Sequence, residues 1–180
     1  MSFPWYEKIE QSGDLQQGDF IPECPIIIPP SKIGLDEEAD IEVKLIDSII
    51  LSQSCDLVNN KLQIVLVCPY FPLAEFITIL KEQENFGSGQ VKKHVDNMRK
   101  GFLPGYHLLN RSEEVGFNDY FVVDFRNVYG IQIDSLKQKA FNLSERMRLL
   151  PPYREHLSQA FARYFMRVGL PQDIILEGYI

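Results

Sequence analysis

Two dense apolar runs, IDSIIL at 46–51 and LQIVLVC at 62–68, flank the polar segment SQSCDLVNNK. Each run is short for a helix and rich in Ile, Val and Leu, which predicts paired strands over 41–52 and 62–70. Asn59-Asn60 supplies a turn, because Asn tolerates positive φ better than most residues. A hairpin this apolar must pass through the middle of a core. It leaves Ser52, Gln53, Ser54, Cys55 and Asp56 at the end of its first strand, where a catalytic group would sit in an enzyme.

A chain of 180 residues fits one domain over 1–180 with a sizeable core. Its 45% hydrophobic and 24% charged content is that of a globular protein. No apolar run approaches the roughly 20 residues that cross a bilayer. The N-terminal MSFPWYEKIEQSGD lacks the basic start and apolar stretch of a secretory signal. The expectation is a cytoplasmic chain with no membrane partner. Cys24, Cys55 and Cys68 are odd in number and show no CxxC spacing, so they read as free thiols. They form no compact ligand pairs with His94, His107 or His156, and neither a metal site nor a cofactor is expected.

Charge divides the chain. Residues 1–60 carry 12 acidic and 3 basic side chains, whereas 61–180 carry 13 and 15. An acidic first third is poorly suited to lie along a phosphate backbone, so a nucleic-acid role would need a local basic face in the remainder.

Pro22, Pro25, Pro29 and Pro30 interrupt the short apolar runs FI and PIII. Proline cannot donate a ladder hydrogen bond, so these are edge strands or strand ends. The acidic 34–40 is expected to be a loop. Two helices are predicted over 73–84, starting at Pro72, and over 90–100, ending at Gly101. Strands follow at 106–109, 120–125 and 128–133, with Arg126-Asn127 as a turn, and a short one at 143–149. The last element, 151–169, has proline at its start, Gly169 as its cap and Pro171 beyond. Leu157, Phe161, Tyr164 and Val168 lie in its apolar stripe. His156, Arg163 and Arg167 fall within about 40° on one flank, and Arg154 lies in the apolar arc near the start.

In outline, 13–133 resembles the MazF/PemK-like growth-inhibitor family. Gly18-Asp19-Phe20-Ile21 is similar to the glycine-aspartate opening its first strand, and IILSQSCDLVNNKLQIVLVCPY to its central hairpin. The resemblance implies an α+β fold, a mainly antiparallel SH3-like β-barrel. To it would be added a two-helix insertion at about 73–101 and a long C-terminal amphipathic helix. RNA-cleaving members carry an arginine-proline pair before the first apolar hairpin strand and a hydroxyl residue after the second. Here Asp47-Ser48 and Cys68-Pro69-Tyr70 stand in those places. Aspartate would repel the phosphate charge that arginine stabilises.

The first expectation is therefore a non-catalytic protein-interaction or regulatory module. Through the resemblance, it would serve a bacterial stress, toxin-antitoxin-like or phage-defence system, CRISPR ancillary modules included. Its binding residues would be Arg154, His156, Arg163 and Arg167, with Trp5 and Tyr6 either an exposed anchor or a packed tether. Arg146 and Arg148 would extend the basic flank, unless these cations pair internally. The alternatives are a diverged endoribonuclease, a hydrolase using Cys55 and Asp56, or an RNA-binding module centred on the second helix, with Lys92, Lys93, His94, Arg99 and Lys100, and the last helix. The structural reading of Cys55 outweighs the chemical one, because free cysteine is commonly buried and no histidine is near in sequence.

Overall fold

The computed structural model describes residues 3–30 and 41–166. In chain order these form β1 (Tyr6–Glu10), β2 (Phe20–Ile28), β3 (Glu42–Ile50), α1 (Ser54–Val58), β4 (Ile64–Pro72), α2 (Leu73–Glu82) and α3 (Ser88–Arg99). There follow β5 (Tyr106–Leu109), β6 (Phe121–Asp124), β7 (Tyr129–Gln132), α4 (Ile133–Phe141), β8 (Glu145–Leu149) and α5 (Tyr153–Phe165). The acidic 34–40 lies outside the described residues.

The central hairpin forms as predicted. β3 and β4 pair antiparallel, with Ile49 opposite Cys68 and Ile50 opposite Val67. The connection between them is not wholly loop, since its SCDLV stretch winds into α1 and Asn60 then turns the chain at φ 52°. β2 is an edge strand, in keeping with its prolines. Its register shifts between Ile21 and Cys24, where Glu23 adopts φ 48°. The Glu23 amide donates to Asp47 Oδ1 at 2.8 Å. Asp47 therefore pins the bulge that accommodates Pro22.

The strands do not close into the expected SH3-like barrel. One sheet runs β2-β3-β4-β6-β5 with β7 also on β4, while among the described residues β1 and β8 pair only with each other. Closure would require the two terminal strands to exchange ladder bonds. Instead β4 divides its length, giving 64–67 to β7 and 70–72 to β6. Among the described residues the ladder contact between the entry of β2 and β8 is an isolated bridge from Asp19 to Arg148. The architecture is α+β with open antiparallel sheets.

The expected long helix is also corrected. α5 has 13 residues and leaves helical geometry at Met166, where ψ is 37°. It is one residue longer than α3. Gly169 and Arg167 lie outside the described residues. α4 is an addition to the expected elements, with only its first residue, Ile133, inside a predicted strand.

Among the described residues three apolar clusters form the core. α1 and α4 cover the inner side chains of β2, β4 and β7, including Ile26, Val65 and Val67. α5, β1 and β8 bury Phe20, Tyr70, Phe125 and Leu157. α2 and α3 pack Phe76, Leu80, Val91 and Met98 against Val122 of β6. The second and third place α5 and α3 on either side of β5, and that placement creates the cleft described next. No described helix is long and apolar enough to cross a membrane.

Candidate functional site

α3 ends in a Schellman cap. Gly101, at φ 75°, donates to the Met98 carbonyl and Phe102 donates to that of Asn97, both at 2.9 Å. The carbonyl end of a helix attracts cations, and this one carries Arg99 and Lys100. Asp96 holds both, at 2.8 and 2.5 Å. The hydrogen bonds from Lys100 and then Arg99 keep its carboxyl below the usual carboxylate range. A third cation comes from α5. The Arg163 guanidinium lies against Gly101, its Nη1 3.8 Å from where a Cβ would stand.

Between these walls β5 presents His107, stacked at 6.2 Å on the buried Phe125. Burial, and then the charges of His156 and Arg163, push its imidazole down to about 4, so it is neutral at physiological pH. His156 and Arg163 lie seven residues apart on α5, on one face and two turns apart. Together these groups line a cleft of about 260 Å³. Arg99, Lys100, Arg163, His107 and His156 face it, and among the described residues no carboxylate does. Such a site favours an anion. Arg163 makes no salt bridge with any described residue.

The sequence had separated these cations into two groups, one on the second helix and one on the last. The fold brings one end of each together. Lys92, Lys93 and His94 sit further back along α3, where His94 packs against Phe76 and Phe86. His107, read only as a zinc candidate, turns out to form the floor. The strand pattern at 106–109 carries no signal of that. Among the described residues no group of three His, Cys, Asp or Glu side chains could hold a metal ion.

Other predicted positions lie elsewhere. Arg146 and Arg148 do not extend the basic flank but close on Asp19 inside the protein. Tyr6 is buried and donates to the Asn110 carbonyl. Trp5 stacks on Tyr153 of α5 with ring centroids 3.5 Å apart. The pair at the N-terminus is thus packed in the manner of a tether.

Cys55 borders a second cleft of about 450 Å³, on the other side of α5, with Gln17, Ser54, Arg154 and Ser158, whereas Asp56 does not line it. The Cys55 thiol neighbours Gln53 Oε1 at 3.9 Å and Asp56 Oδ1 at 3.7 Å. No histidine lines this cleft, so the base that a thiol nucleophile needs is missing there. Arg154 is shared between Glu155, at 3.1 Å, and Gln16, at 3.3 Å. Sequence reading missed Gln17, whose buried amide donates to the Leu51 carbonyl at 2.7 Å and ties the hairpin to the β2 entry.

No family model matches the chain, and no curated protein matches it in sequence.

Proposed function

We propose that this chain is a non-catalytic binding module that docks an anionic segment of a protein partner in the cleft between α3, β5 and α5. The observation that carries the reading is the convergence of Arg99, Lys100 and Arg163 with two imidazoles around a concavity that no described carboxylate lines. Arg163 is the central contact, because it alone of the three cations is not held by Asp96. The acidic first third of the chain disfavours an extended phosphate backbone and would steer such a ligand toward this cleft.

The test is a pull-down with purified chain carrying Arg163→Glu, and separately with Arg154→Glu, which changes the other side of α5. A partner retained by the wild type and by Arg154→Glu but lost with Arg163→Glu supports the reading. Equal retention by all three would sink it.

RNA cleavage is the second reading, and it draws on the two imidazoles sharing a cleft with cations. One would accept the proton of the attacking 2′-hydroxyl while the other protonates the departing 5′-oxygen. His107 is a poor base for this, since a group titrating near 4 has little proton affinity at neutral pH. Cleavage of RNA by excess protein, abolished by His107→Gln, would promote this reading over the first.

A further inference from the structure

We propose that the groove between α2 and α3 receives the apolar face of an acidic amphipathic helix. On this proposal, which rests on the partner-docking reading above, that helix belongs to the segment whose anionic group enters the cleft.

The groove measures about 490 Å³ and is floored by Ile77, Val91 and Val95. Ile77 and Lys81 stand one turn apart on α2; Val91 and Val95 do the same on α3. The result is an apolar floor with Ile77 on one wall and Val91 and Val95 at helical spacing on the other, which can accept apolar side chains from a third helix. Its rim is cationic. Lys81, Lys92 and Arg99 border it with one carboxylate, Asp96. That carboxylate already serves Arg99 and Lys100, whereas Lys81 and Lys92 make no salt bridge with a described residue. Lys92 and Arg99 are two turns apart along α3, which matches carboxylates two turns apart on a docked helix.

Charge complementarity thus selects the occupant: apolar anchors toward Ile77 and Val95, with Asp or Glu flanking them. A phosphodiester chain would leave the apolar floor unused. Arg99 lines both this groove and the cationic cleft, so one segment can engage both without a gap.

The experiment follows a fluorescent peptide of about four helical turns, with leucines on one face and glutamates flanking them, by anisotropy. A scrambled peptide of the same composition is the control. Inorganic phosphate is titrated in parallel by NMR of the cleft histidines. The wild type is expected to bind the amphipathic peptide at least about tenfold more tightly than the scrambled one, as anchor-dependent docking requires. Val95→Asp is expected to lose that preference while the His107 and His156 resonances still respond to phosphate.

If Val95→Asp fails to fold, Lys92→Glu, an exposed change, is expected to weaken peptide binding and lower its salt sensitivity. Equal binding of both peptides would overturn the proposal. So would peptide binding indifferent to both substitutions, or binding only to vesicles of anionic lipid. A phosphate response without peptide preference defeats the groove and leaves the cleft standing. Peptide preference without a phosphate response upholds the groove and defeats the cleft.

Discussion

Asp19 and Arg148 meet inside the protein from positions 129 residues apart, with the Arg148 Nε donating to Asp19 Oδ1 at 2.5 Å. Arg146 donates to the other carboxylate oxygen at 2.8 Å. Arg146 also donates to the carbonyls of Gly13 and Asp14, and Arg148 to that of Asp14. This triad is a buried polar link between the two sheets, beside the bridge at the same residues and the apolar contacts of Tyr6 and Leu149 with Phe20 and Ile49. Removing one member of a buried ionic group leaves the others charged and unpaired, at about 3–5 kcal/mol. Asp19→Ala should therefore lower the unfolding free energy measured by urea titration by an amount of that order. Replacing Asp19, Arg146 and Arg148 together by apolar residues should restore much of the loss. A loss under about 1 kcal/mol for Asp19→Ala would show that the triad is not the clamp.

The triad also marks the boundary of what the sequence reveals. The hairpin, α3 with its Gly101 cap and the proline-limited edge strand follow from local pattern, and each forms close to its expected place. The pairing of β1 with β8 does not, because YEKIE is mostly polar and its partner lies some 140 positions away. α4 carried a signal that was missed, since Ile133, Leu136 and Ala140 stand at helical spacing and are all buried. Barrel closure is what the family resemblance implies, but the division of β4 between two partners is a long-range choice no local pattern records. The cleft shares that limit. Its cations were visible one by one, and only the packing of α3 and α5 about β5 unites them.

His107 gives a pH signature. Its folded value lies near 4, below the ordinary 6.5, so the folded state prefers the neutral ring. Between those limits the unfolded chain binds a proton that the folded chain does not. Stability is complete above about 6.5 and is lost as pH falls toward 4, by at most about 3 kcal/mol. His107→Gln should flatten the dependence of the thermal midpoint on pH between 7 and 5, and an unchanged profile would contradict the assignment. Phosphate bound in the cleft should favour the protonated ring, so its affinity should rise over the same descent.

Arg163 should separate binding from stability. It is exposed and makes no salt bridge with a described residue. Arg163→Glu should then change stability by no more than about 0.5 kcal/mol, yet abolish the phosphate response of His107 and His156. If instead the variant unfolds more readily by several times that amount, Arg163 holds α5 to α3 and the cleft has a structural purpose.

The three thiols should differ sharply in reactivity. Cys55 is exposed, whereas Cys24 and Cys68 are buried. Burial pushes the Cys24 thiol up to about 11, against a smaller lowering by Lys139; burial and then the charge of Asp124 raise Cys68 further. A thiolate attacks a disulfide reagent and displaces its leaving thiolate, so one thiol should titrate rapidly in the native protein and two only on unfolding. Cys55→Ser should remove the fast phase and change stability by no more than about 0.5 kcal/mol, since Cys55 contributes little packing. Two fast thiols would mean that a buried cysteine becomes accessible through local opening. With one fast thiol, a further test bears on the second cleft. If the Cys55 rate is unchanged by Arg154→Ala, the guanidinium across that cleft does not activate the thiol. A fall of tenfold or more would show that Arg154 stabilises the thiolate and would reopen the chemical reading of Cys55.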